Sequence, residues 1–317
     1  MQNESLIALS SSRFTAGICP HLGGSLVYFS LADATAVDFV RPTTARALAE
    51  RNVRQTSGYP LVPYSNRIGD GRFRIDDVNY RLDVNSTTPL HPIHGVGWVR
   101  PWNVRNIKSI RTAQGTAISR VTLALTHIAS GESDKAWPWS FEAIQNYDLD
   151  DERLRWGISV TNRDIRPMPA GIGMHPFFSK STLMEVEFAA RSAWRNDARM
   201  LPLGRTPVPP DWNFAQARTI ADLDVNNCFE GWSGHARIVW PDRGWGLAIA
   251  ADKVFGHLVV FTSPGLDSIA LEPTSHVNNA LNLCDRYTDA GMQVLAPGET
   301  LSGTFTMSPI PLESNRA

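Results

Sequence analysis

The sequence predicts an all-β fold, a large antiparallel β-sandwich with few short helices. Three observations carry that expectation. Apolar and polar residues alternate with period two through many short stretches. Those stretches are separated by clusters of Gly, Pro, Asn and Asp, the residues that turn a chain. Only one stretch has convincing helical spacing. With 317 residues, 43% of them hydrophobic, the chain can bury a large core. No repeat of fixed period, low-complexity segment or linker-like change of composition divides it, so residues 1–317 read as one domain.

The elements follow in chain order. Residues 25–29 (SLVYF) alternate as a first strand. Residues 43–51 (TTARALAER) form the one helix, short and on the surface. Residues 73–84 (FRIDDVNYRLDV) read as a hairpin turning near Asp76–Asn79. Further strands are expected at 120–126 (RVTLALT), 154–160 (LRWGISV), 237–240 (RIVW), 247–250 (LAIA), 257–261 (HLVVF) and 301–307 (LSGTFTM). Residues 191–217 carry Pro202, Pro207, Pro209 and Pro210 and read as a long loop.

Bulk properties narrow the function. Thirty basic against 31 acidic residues leave a formal charge of −1, and no extended Lys/Arg run is present, so neither nucleic acid nor an anionic membrane is an expected partner. Three scattered cysteines, Cys19, Cys228 and Cys284, make neither a disulfide framework nor a zinc knuckle and fit a reducing cytosol. The N-terminal residues show no signal-peptide pattern, and no apolar run reaches 18 residues. The expectation is a cytoplasmic protein, monomeric or homodimeric. Ten tryptophans are many for this length; most read as core, though indole also suits the flat faces of sugar rings.

Chemistry concentrates in five segments. In PYSNRIGDGRF (63–73), Asn66 and Arg67 precede a turn-rich corner, where an arginine either offers a planar fork of donors to ligand oxygens or pairs with Asp70. In HPIHGVGWVRPW (91–102), Pro92 and Gly95 tighten the backbone around His94, Gly97 leaves space beside it, and Trp98 and Trp102 offer stacking faces. The His-x-x-His spacing raises the question of metal, but Pro92 opposes a helix that would present both rings on one side. In AGIGMHPFFSK (170–180), two glycines lead into His175, and two phenylalanines make an apolar wall that favours a neutral imidazole. LDVNNCFEGWSG (223–234) reads as a turn whose Asp224, Asn226 and Asn227 either bind hydroxyls or close an Asx turn. In SIALEPTSHVNNALN (268–282), Glu272 falls at a strand's end before Pro273, with His276, Asn278 and Asn279 as a polar wall. Two imidazoles and a carboxylate are the parts of concerted acid–base catalysis near neutral pH.

In this order the segments resemble the aldose 1-epimerase (galactose mutarotase) family, on NRI at 66–68, HPIHG and a following GW at 91–98, GMHPFF at 173–178, and LEP with downstream asparagines at 271–282. The resemblance runs from about residue 20 to residue 307. It implies the galactose mutarotase-like supersandwich fold and an isomerase that interconverts the α and β anomers of an aldohexose such as galactose or glucose, without metal or organic cofactor. Glu272 matches the base that removes the C1 hydroxyl proton, His175 the acid that protonates the ring oxygen, His94 the partner that stabilises charge near that oxygen, and Arg67 the hydroxyl-binding arginine. The family's sugar-binding Asp, three residues before a Phe, is replaced here by Asn226, with Asp224 two residues earlier. Asn66 and Trp98 complete the expected substrate-binding set. A His–Glu pair that titrates as a unit predicts a bell-shaped pH dependence of turnover within about pH 5 to 9. Two other readings stand beside this one. A non-catalytic sugar-binding domain on the same fold would tolerate loss of His175 or Glu272. A hexose-6-phosphate epimerase would need convergent cations, for which Arg67, Arg72, Arg74 and Arg100 are candidates. Cupin-like metal chemistry lacks its closely spaced His-x-His and Glu set.

Overall fold

The computed structural model describes residues 6–33, 37–85, 91–111 and 117–313. Antiparallel strands dominate it, in two large sheets. The first has ten strands, in the spatial order Ile7–Ser10, Phe14–Cys19, Ser25–Leu31, Gly58–Leu61, Gly173–Ser179, Ser268–Thr274, His257–Thr262, Val225–Glu230, Ser192–Asn196 and Pro202–Pro207. The second has nine, in the order Arg218–Thr219, Glu185–Phe188, His235–Trp240, Trp245–Ala251, Thr300–Pro311, Leu154–Asn162, Phe141–Leu149, Ala117–His127 and Asn103–Arg111. Among the described residues no helix is long and apolar enough to cross a membrane.

Alternation decides which face each sheet buries. Phe141–Leu149 and Leu154–Asn162 bury every second residue and pair in register, from Leu154↔Leu149 to Asn162↔Phe141. Their inward side chains, Tyr147, Trp156 and Ile158 among them, join Phe14, Phe29 and Leu271 of the ten-stranded sheet in one apolar cluster between the layers. The expected helix is present as Ala45–Ala49, started by Thr44, whose hydroxyl accepts from the Ala47 N–H at 3.1 Å. The expected hairpin pairs Arg72–Ile75 with Val78–Arg81.

Three expectations change. Residues 191–217 are not a long loop: Ser192–Asn196 and Pro202–Pro207 form a hairpin at the edge of the ten-stranded sheet. Its prolines lie on the outermost strand, where no further ladder needs their missing N–H. Residues 225–230 are not a turn but a strand paired with His257–Thr262. His175 and Glu272 lie within central strands rather than at their ends. The ladder between those strands registers at Gly173↔Thr274 and again at Phe177↔Ala270. Between these pairs lie Pro176 and Pro273, which have no N–H to donate.

Candidate active site

Period two gives the central strands of the ten-stranded sheet two different faces. Met174, Phe178, Ile269 and Leu271 enter the sandwich core, while Tyr59, Phe177 and Ala270 pack in a separate small cluster with Ile93 and Trp98. His175 and Glu272 are on this second face. The registers Tyr59↔His175 and Val259↔Glu272, with Gly173↔Thr274 flanking, place Tyr59, His175, Glu272 and Val259 in one row across four strands. The next row carries Phe177, Ala270, Phe261 and Asn226. Above these rows lies a cavity of about 520 Å³.

The segments 63–73 and 91–98 form its side wall. Asn66 holds it together. Its N–H donates to His94 Nδ1 at 3.0 Å, its carbonyl accepts from the His94 N–H at 3.0 Å, and its Oδ1 accepts from the Arg67 N–H at 2.9 Å and from Arg67 Nη1 at 3.1 Å. An imidazole that accepts at Nδ1 carries its proton on Nε2 when neutral, so His94 is a donor. Asn66 and His94 both have left-handed φ, 57° and 62°, a conformation that Asn adopts at lower cost than most residues. Gly95 follows at φ 68°, where a Cβ would stand 2.3 Å from the Val62 carbonyl oxygen. Behind this wall, His276 accepts the Ser65 N–H at Nε2 (3.0 Å) while Nδ1 meets the Val277 carbonyl oxygen at 2.7 Å. Asn279 Oδ1 accepts the Gly69 N–H at 2.9 Å. His276 and Asn279 therefore brace the Arg67 loop from behind, and His276, Asn278 and Asn279 do not line the cavity.

His175 Nε2 and Glu272 Oε1 are 3.2 Å apart, and both side chains are almost wholly buried. Glu272 Oε2 has no protein partner among the described residues. Burial raises the Glu272 pKa well above the usual carboxylate range, against the pull of the Arg67 charge. Burial pushes His175 down to about 3, helped by the Arg41 charge. His94 is lowered by burial and then by His175, Arg67 and Arg54. Burial therefore favours imidazole and carboxylic acid over imidazolium and carboxylate in the isolated pair. Ring contacts fix the imidazoles: His175 is sandwiched between Phe177 at 4.5 Å and Tyr59 at 4.7 Å, and its centroid is 5.5 Å from that of His94.

Six of the eight expected site residues line this one cavity: Asn66, Arg67, His94, His175, Asn226 and Glu272. Trp98 does not. It is buried behind Tyr59 and His94, its Nε1 donates to the Ile93 carbonyl at 3.1 Å, and no stacking face is left for a ligand. Trp102 is likewise buried, bonded to the Gly97 carbonyl. Asp224 is exposed, outside the cavity, one residue before the strand that carries Asn226 inward. Sequence reasoning missed Tyr59, Arg41, Arg54, Phe261 and Ser268 among the lining residues. Arg41 and Arg54 flank the helix in plain polar surroundings that carry no signal.

The sequence matches the family model described as aldose 1-epimerase over residues 5–308. The uncharacterized Escherichia coli (strain K12) protein YphB is 27% identical over 262 residues, covering 79% of this chain and 83% of that one. A galactose mutarotase-like protein from Clostridium acetobutylicum superimposes with a TM-score of 0.84 at 20% identity, over 97% of this chain and 95% of its own. The galactose 1-epimerase from Lactobacillus acidophilus NCFM does so with a TM-score of 0.76 at 15% identity, over 99% and 97%. At such identities the solved structures establish the fold.

Proposed function

The chain belongs to the aldose 1-epimerase family, and from that premise we propose that it interconverts the α and β anomers of an aldose by acid–base opening and closure of the ring. One observation carries the reading: a buried His–Glu pair in contact at 3.2 Å, set in a cavity with His94 and Arg67 on its wall. In ring opening Glu272 accepts the O1 proton, the C1–O1 bond becomes a carbonyl, the C1–O5 bond breaks, and His175 delivers a proton to O5. Rotation about C1–C2 and the reverse transfers close the other anomer. Opening converts imidazolium and carboxylate into imidazole and carboxylic acid, so the pair holds one proton throughout. The state that burial favours in the isolated site is thus the state that recloses the aldehyde. His94 Nε2–H and Arg67 bind sugar oxygens and offset charge that develops at O5. Each proton-transfer group contributes a factor on the order of 10²–10⁴.

Polarimetry on freshly dissolved α-D-galactose and α-D-glucose tests the proposal. The wild type is expected to accelerate mutarotation of at least one, and Glu272→Gln and His175→Asn to lower kcat by about 10²–10⁴. Full activity in Glu272→Gln would remove Glu272 as the base. A protein that binds sugar but accelerates nothing would be a binding module on this fold.

A further inference from the structure

Three arginines line the cavity wall, against two carboxylic acids. Of the arginines that the sequence offered, only Arg67 lines it. Arg72 and Arg74 lie on the separate hairpin, and Arg100 Nη1 meets His127 Nδ1 at 2.8 Å. Arg41 and Arg54, which neighbour the helix, take their place in the lining. Both are held in position. Arg41 Nη2 donates to the carbonyls of Arg54 and Thr56 at 2.9 and 2.7 Å, its Nη1 donates to Ser268 Oγ at 3.2 Å, and its guanidinium lies 3.9 Å over the Phe177 ring. Arg54 lies 5.1 Å over the Trp98 ring, which gives that buried indole a use the sequence did not suggest. Among the described residues no carboxylate comes within 4.0 Å of Arg41, Arg54 or Arg67. The acids that share the lining are Glu272 and the exposed Asp267.

Position along the strands separates Arg41 from Glu272. Ser268, which anchors Arg41, is four residues from Glu272 on the same strand and face, about 13 Å at strand rise. Phe177, beneath Arg41, is two residues from His175. Arg41 therefore stands towards the end of the cavity away from the carboxylate that meets O1, and Arg54, whose carbonyl accepts from Arg41, lies over Trp98. Building on the mutarotase reading, we propose that Arg41 and Arg54 form an anion subsite and that the preferred substrate is an aldose with a negative group, carboxylate or phosphate, on its exocyclic carbon. Arg54 supplies free donors for that group, and Arg41 supplies a fixed charge behind it.

Anomer exchange measured by NMR at equilibrium on D-glucose, D-glucuronate and glucose 6-phosphate tests this. The wild type is expected to show a kcat/KM at least about ten-fold higher for one anionic sugar than for glucose, the size expected of one charge-assisted hydrogen bond. The glucuronate and phosphate arms tell the two anions apart. Arg54→Gln is expected to narrow that preference about ten-fold, and raised salt to narrow it in the wild type, which serves if the variant does not fold. Equal turnover of all three sugars, or an equal loss with all three in Arg54→Gln, overturns the subsite. Calorimetry of the two anionic sugars with Glu272→Gln reads binding apart from turnover. Anion binding without turnover of any sugar overturns the mutarotase reading alone. Turnover of glucose without anion binding overturns the subsite alone, and neither binding nor turnover overturns both.

Discussion

Asn66 shows how much of a site can depend on one residue that need not touch the reacting atoms. It sets the His94 tautomer through its N–H, fixes the backbone of His94 through its carbonyl, and aims Arg67 through its side chain. Asn66→Gly keeps the left-handed backbone and deletes only the side-chain bonds, so it is expected to raise KM about ten-fold with little loss of stability. Asn66→Ala adds the cost of a left-handed backbone, about 1 kcal/mol, which a urea melt would detect. Glu272 sets a second test at this scale. Its pKa is higher folded than unfolded, so its contribution to stability falls as pH rises through the folded value. Glu272→Gln removes that loss, and its Tm is expected to exceed the wild-type Tm by a margin that grows with pH, even as activity disappears.

At the scale of elements, the site is two adjacent strands facing a braced loop. The brace is His276, and Gly171 makes room for it: a Cβ there would come within 2.1 Å of His276 Cδ2. Gly171→Ala is expected to cost about 1–3 kcal/mol in denaturant unfolding and to lower kcat, since the overpacked imidazole would push on the Ser65–Asn66 backbone. The same elements mark where sequence reading succeeded. The motifs around Asn66, Arg67, His94, His175 and Glu272 were legible because glycine, proline and ionisable residues stand out against an alternating background. Trp98 was misassigned because composition does not show on which side of His94 an indole packs. The edge hairpin at 192–207 was missed because its prolines count against a strand unless that strand is known to be outermost.

At the scale of the molecule, buried histidines set the pH limits. His175 is pushed down to about 3, and His257 and His276 to about 4, burial being the largest cause in each. Each binds its proton more weakly folded than unfolded, where the pKa is about 6.5. Their stabilisation is complete above that value and falls as pH drops towards 4. Thermal melts between pH 7 and 4 are expected to show a steep, multi-proton decline in Tm. Turnover responds differently, because burial holds the proton on Glu272 more tightly and that on His175 more weakly, which moves the two limbs apart. The alkaline limb should report loss of that proton above the usual carboxylate range, and the acid limb should lie below pH 5, where unfolding competes with it. A pH–rate profile with an acid limb near 6.5, the ordinary imidazole value, would contradict this account.

The sequence by itself determined the all-β class, most strand positions and the candidates for proton transfer, because period-two burial and the chemistry of rare side chains are local properties. Tertiary structure alone decided which of those side chains share a cavity. It also decided which way the proton affinities of His175 and Glu272 shift, since that depends on burial and on charges brought in from distant segments. It placed Arg41 and Arg54 on the wall as well, because a long-range strand order set Ser268 and Phe177 beneath Arg41, and the chain packing set Trp98 beneath Arg54.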